Sequence, residues 1–100
     1  MAITFGQYKF EGPYDNFSDL FYLSGVYIIL DKRNEGYFII DIGESNEIRT
    51  SIEDEVKLSK WNTVREGKLE VVVLYMQNKH KASRQMIVRD LRAGFKPLCE

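Results

Sequence analysis

Residues 25–43, GVYIILDKRNEGYFIIDIG, decide the fold. Two runs of β-branched and aromatic residues, Gly25–Leu30 (GVYIIL) and Gly36–Ile42 (GYFIIDI), flank the polar segment DKRNE. That pattern predicts a β-hairpin whose loop is longer than the two-residue minimum. After the hairpin, Ser45 or Asn46 is suited to cap a helix, and Glu47, Glu53, Asp54 and Glu55 make its early turns acidic. Ile48, Ile52 and Val56 recur every four residues, which predicts one apolar stripe packed on the sheet, with the helix ending near Lys60-Trp61-Asn62. Leu69–Met76 (LEVVVLYM) reads as a third strand. Asn78 then caps a second helix running to about Arg92, closed by Gly94 with Pro97 beyond, and Ala82, Met86, Ile87 and Leu91 form its expected buried face.

Before the hairpin, residues 1–22 hold seven of the 13 aromatic residues: Phe5, Tyr8, Phe10, Tyr14, Phe17, Phe21 and Tyr22. With Gly12-Pro13 and Asp15-Asn16 among them, the segment reads as a short strand followed by irregular chain. Its rings either pad one side of a small core or form a contact surface for a protein partner or a second copy of the chain. The expected organisation is an aromatic extension over 1–22 packed on a domain over 23–100. The fold class is α/β of the α+β type, a small antiparallel sheet flanked by helices in the order β-β-α-β-α.

One hundred residues suit a single domain, and a 44% hydrophobic content excludes a disordered chain. The single cysteine, Cys99, and the single histidine, His80, form no zinc-spaced cluster. Near a helix start, His80 reads as an exposed polar residue rather than a ligand or base. The opening MAITFGQ has no basic segment leading into an apolar run, so no signal peptide is expected. The most apolar stretch, Leu20–Leu30, is too short for the roughly 20 residues a membrane helix needs. The expectation is a cytoplasmic protein without membrane contact.

Gly25-Val26-Tyr27, then thirteen residues, then Asp41-Ile42-Gly43 resembles the two-part signature of the GIY-YIG nuclease superfamily. In that family adjacent strands carry Gly-Ile-Tyr and Tyr-Ile-Gly, and the order hairpin, helix, strand, helix is the same. Asp41–Ile52 looks like the family's glycine-to-helix turn, and Arg84–Glu100 looks like its last helix and Pro-containing exit, so the resemblance covers residues 22–100. It implies hydrolysis of a nucleic-acid phosphodiester with a divalent cation on a helical glutamate, a tyrosine that helps activate water, and an arginine that stabilises phosphate charge.

Carried over by position, Gly25 and Gly43 are the motif glycines and Tyr27 is the first motif's tyrosine. Asp41 replaces the second motif's tyrosine. The family arginine falls at Ser51, with Arg49 the nearest guanidinium, and the position of a histidine in several members is Glu55. The metal-binding glutamate falls at Val88, flanked by Ile87 and Arg89, and the exit asparagine falls at Glu100. Valine binds no cation. The candidate remnants of a catalytic site are therefore Tyr27, Asp41 and Arg49, with Asp41 or Glu55 as substitute metal ligands. Magnesium or manganese would be needed only by an active, rearranged site.

The net charge of −1 hides a division, because residues 1–58 carry −6 and residues 59–100 carry +5. Lys79, Lys81, Arg84, Arg89, Arg92 and Lys96 concentrate the positive charge around the last helix, opposed there by Asp90. Such a helix can lie along a phosphate backbone, face an acidic neighbour, or simply be solvated. Three functions follow as expectations. The first is a GIY-YIG-like domain without competent catalysis, acting as a DNA-binding or accessory module. The second is a protein-interaction or dimerisation module that reuses the fold. The third is an active metal-dependent endonuclease with a rearranged site.

Overall fold

The computed structural model describes residues 2–77 and 79–99, and the statements below concern these residues. The expected cap Asn78 and the exit position Glu100 lie outside them. The run from Gly25 to Asp31 is buried without interruption, because its strand sits inside the sheet with helices on both faces. That strand, β3 (Gly25–Arg33), pairs antiparallel with β4 (Gly36–Ser45) on one side and β5 (Lys68–Tyr75) on the other. Beyond β5 come β2 (Tyr8–Tyr14) and then β1 (Ala2–Phe5), so the antiparallel sheet has the order β1-β2-β5-β3-β4.

Two strands thus replace the expected single strand and irregular chain at the N-terminus. Phe10 is fully buried, while Phe5, Tyr8, Tyr14 and Phe17 pack against the core from its margin. Phe21 and Tyr22 remain exposed. Five of the seven early aromatics therefore serve the core, and the sheet is wider than the hairpin alone suggests.

The hairpin turn is also tighter than expected. Arg33 pairs with Gly36, leaving Asn34-Glu35 as the turn, and Gly36 has φ +128°, open to glycine and strained for other residues. Pairing continues through Asp31 because its buried carboxylate accepts the amides of Glu66 and Gly67, each at 2.8 Å, and Arg33 Nε at 2.8 Å. The polar letters of this strand are pinned from the neighbouring loop.

Alternation sorts the strands into two layers. Tyr27, Ile29, Val71 and Val73 pack beneath α1 (Ile48–Ile52) and α2 (Glu55–Val64), with Ile48, Ile52 and Trp61 above them. Val26, Ile28, Leu30, Val72 and Phe10 pack against α3 (Lys81–Gly94) through Leu91, Ile87, Val88 and Phe95.

One long helix after the hairpin was expected, and two short ones form. Asp54 breaks the run with an extended backbone and accepts the Val56 amide at 3.2 Å, capping α2. The new phase leaves Val56 77% exposed and presents Leu58, Trp61 and Val64 to the core. Similarly, the buried side of α3 uses Arg84 and Val88 rather than Met86 and Ala82, and Met86 is exposed. The N-cap of α1 is Glu47, not Ser45 or Asn46, and that of α3 is His80.

The register of β3 and β4 shifts between Ile29 and Leu30. This bulge puts Ile39 in the α3 layer and Ile40 in the α1–α2 layer. Strict alternation would align Tyr37, Ile39 and Asp41 on one face. The bulge turns Asp41 away from Tyr37 and Ile39, which stay on one face, and Tyr37 donates to Glu70 at 3.0 Å. The tail covers the outer edge of β4, where the Leu98 and Cys99 amides donate to Ile39 and Ile40 carbonyls at 3.1 and 2.7 Å.

Candidate functional site

Tyr27 of β3 stands directly across from Gly43 of β4. A methyl group at residue 43 would overlap the Tyr27 hydroxyl and ring, so glycine here leaves room for the phenol lying over it. Tyr27 is 4% exposed and meets Trp61 edge-on, with ring centroids 6.3 Å apart. Burial, reinforced by the charges of Asp41 and Glu44, pushes its pKa up to about 12. The phenol therefore stays protonated at neutral pH and is a poor proton acceptor for activating water.

Asp41 follows the bulge, where its carboxylate gathers three donors. Trp61 Nε1 donates to Oδ2 at 2.9 Å, and Arg92 Nη2 and the Ile42 amide donate to Oδ1, each at 2.9 Å. The same Arg92 nitrogen also donates to the Ile42 carbonyl at 2.7 Å. One acidic residue thereby ties β4 to α2 and α3 together.

Arg49 is occupied elsewhere. Its guanidinium lies 4.7 Å from the centre of the Tyr22 ring, donates to the Ser18 carbonyl at 3.2 Å, and reaches Glu53 at 3.4 Å. It braces the loop before β3. Tyr27 and Asp41 therefore share one neighbourhood, and the guanidinium that joins them is Arg92 rather than Arg49. The roles of Trp61 and Arg92 were missed by reading the chain, since Arg92 lies 51 positions from Asp41 and no spacing rule links them.

The fit to a divalent cation is poor. Both oxygens of Asp41 already accept from protein donors, and Glu55 is an exposed residue in the first turn of α2. Val88, where the resemblance would place a glutamate, packs into the apolar α3 layer. Among the described residues, no three His, Cys, Asp or Glu side chains gather as a metal site. His80 is exposed at the start of α3 and makes no side-chain cap bond.

The basic helix divides into two sets. Arg84 is 6% exposed and pairs with Glu44 through Nε at 2.9 Å, while Arg92 belongs to Asp41. Lys79, Lys81, Arg89 and Lys96 remain exposed. Thus the acidic neighbour that faces this helix is β4. Among the described residues no helix is long and apolar enough to cross a membrane. No family model, curated protein or solved structure matches the chain.

Proposed function

We propose that this chain is a GIY-YIG-like domain without competent catalysis, which binds nucleic acid electrostatically along α3. The observation that carries the loss of catalysis is the commitment of Asp41 to Trp61, Arg92 and the Ile42 amide. Supporting the relationship are the Tyr27–Gly43 pairing across adjacent strands and an element order that continues with helix, strand and helix.

Binding is supported by what remains exposed once Arg84 and Arg92 are paired. Lys81 and Arg89 lie eight residues apart on α3, about 12 Å along the helix. Lys96 extends the same end of the chain beyond Gly94. With Lys79 just before the helix, four such cations give a weak, salt-sensitive grip rather than sequence readout.

The test is a pair of assays on the full chain. Supercoiled, linear and branched DNA incubated with magnesium or manganese remains uncut. Duplex DNA is retained at low salt and released as salt rises, and the double variant Arg89→Gln/Lys96→Gln lowers the logarithmic salt slope by about 2, since each phosphate contact contributes roughly 0.9. Cleavage by the wild type, or no retention at any salt, overturns the corresponding half of the proposal.

A further inference from the structure

A polar pocket of about 330 Å³ lies where the end of β4 and the start of α1 meet the first turn of α3, lined by Glu44, Ser45, Asn46, Ser51, Lys81 and Arg84. We propose that it seats a single phosphodiester of a nucleic-acid backbone, the fixed contact at one end of the α3 surface. This inference rests on the nucleic-acid reading above and specifies where that ligand is held.

Arg84 is the central donor. Its Nε binds Glu44 Oε1 at 2.9 Å, and Nη1 reaches the Lys79 carbonyl at 3.4 Å. Among the described residues no buried side-chain nitrogen or oxygen lacks a partner. Nη2 has no protein partner there, so it opens onto the solvent of the pocket. A guanidinium held by Glu44 and the Lys79 carbonyl, with its remaining Nη2 facing the pocket, is pre-organised for a phosphate oxygen.

The other lining groups add donors from a second direction. Ser45 Oγ and Ser51 Oγ are 2.6 Å apart, and Ser45 Oγ also accepts the Glu47 amide at 2.9 Å. One hydroxyl hydrogen joins the two serines, which leaves the other to donate. Lys81 lines the pocket with no ion-pair partner among the described residues.

The charges select the ligand. Two cations and one carboxylate leave the pocket with a single positive charge, which one phosphodiester neutralises, whereas a phosphomonoester dianion would reverse it. The tetrahedral array of phosphate oxygens suits donors converging from α3 and from the β4–α1 turn. Lys81 stands both in the pocket and at the start of the exposed α3 face, so a backbone following Arg89 toward the N-terminus of α3 arrives at this site.

Glu44 opposes the anion, which makes its removal a gain-of-function test. Duplex retention is measured for the wild type, Glu44→Gln, Lys81→Gln, Arg84→Lys and the control Glu35→Gln, whose exposed residue sits at the hairpin turn and changes net charge equally. Glu44→Gln tightens binding about tenfold, because the lost repulsion acts across a few ångströms of half-buried space. Glu35→Gln changes it less than twofold. Lys81→Gln and Arg84→Lys weaken it threefold or more, the latter with charge retained and the fork lost. Dimethyl phosphate, as a small monoanionic phosphodiester probe, shifts the amide resonances of Ser45, Asn46, Ser51 and Lys81 in the wild type and less in Arg84→Lys. Equal gains from Glu44→Gln and Glu35→Gln overturn the pocket while leaving nucleic-acid binding by α3 intact. Absence of retention by both wild type and Glu44→Gln overturns both.

Discussion

Replacing Asp41 by asparagine keeps the side chain's shape but removes the charge around which three donors converge. Trp61 approaches one carboxylate oxygen, while Arg92 and the Ile42 amide approach the other. An asparagine has one acceptor oxygen. If it serves Trp61, the new NH₂ confronts Arg92 and the Ile42 amide; if it is turned, the NH₂ confronts the indole N–H. Either orientation leaves at least one donor facing a donor and strips the charge from the Arg92 contact. A hydrogen bond to a charged group is worth about 1.5–3 kcal/mol net. The Arg92 side chain is 33% exposed and its pairing is partly screened, so the expected loss is about 2 kcal/mol rather than the sum over three bonds. For a domain of this size that corresponds to a fall in Tm of roughly 8–16 °C. Urea unfolding followed by Trp61 fluorescence provides the equilibrium value. A double-mutant cycle with Arg92→Gln isolates the ion pair, for which a coupling of about 1 kcal/mol is expected. A loss below about 0.5 kcal/mol refutes the view that Asp41 is a structural tie. So does a metal-dependent nuclease activity that Asp41→Asn abolishes at unchanged stability.

Gly43→Ala drives a methyl group into the Tyr27 ring and hydroxyl, costing about 1–3 kcal/mol by overpacking, and displacing the ring from Trp61 shifts the indole emission to the red; unchanged fluorescence and stability contradict that packing. Asp31 supplies a pH dependence. Burial alone would raise its pKa, but the Glu66 and Gly67 amides and Arg33 outweigh it and hold the carboxyl below its ordinary value of 3.8. Below about pH 4 the unfolded chain therefore takes up more protons at this site than the folded one, so its stabilisation, fully present above that range, is lost as pH falls. In urea titrations Asp31→Asn flattens that acid limb, and an identical limb in the variant rules the assignment out. Asp54→Ala removes the cap of α2 at a cost of about 1 kcal/mol, read as a lower urea midpoint at unchanged slope; a neutral result means that the helix break is not set by this side chain.

The hairpin, the strand around Val71–Val73 and the last helix were legible because each carries its own periodicity. What escaped reading was phase and distance. Ile48, Ile52 and Val56 have ideal helical spacing, yet Asp54 offers the backbone a local acceptor and the helix restarts at Glu55, three residues after Ile52, turning Val56 to solvent. The β4 bulge leaves no compositional trace, and it alone decides that Asp41 parts company with Ile39 and Tyr37. The β-branched and aromatic pattern located the strands that carry Tyr27 and Asp41. It gave no hint that Trp61 and Arg92 would close around Asp41, because those contacts exist only after α2 and α3 pack.

Those contacts also change what the division of charge along the chain means. Two of the acidic residues, Asp41 and Glu44, lie on β4 and hold two of the basic residues, Arg92 and Arg84, so that part of the polarity is consumed in docking α3 onto the sheet. The pairs are largely withdrawn from solvent, with Arg84 and Glu44 side chains 7% and 17% exposed, and salt screens them less than it screens Lys81, Arg89 and Lys96 outside. Added salt should therefore act unequally on the seating of α3 and on the proposed polyanion contact. It removes the attraction between the exposed cations and a polyanion while leaving α3 seated. A chain that released DNA and unfolded over the same range of salt would have its helix held by the exposed charges, contrary to the pairing seen at Asp41 and Glu44.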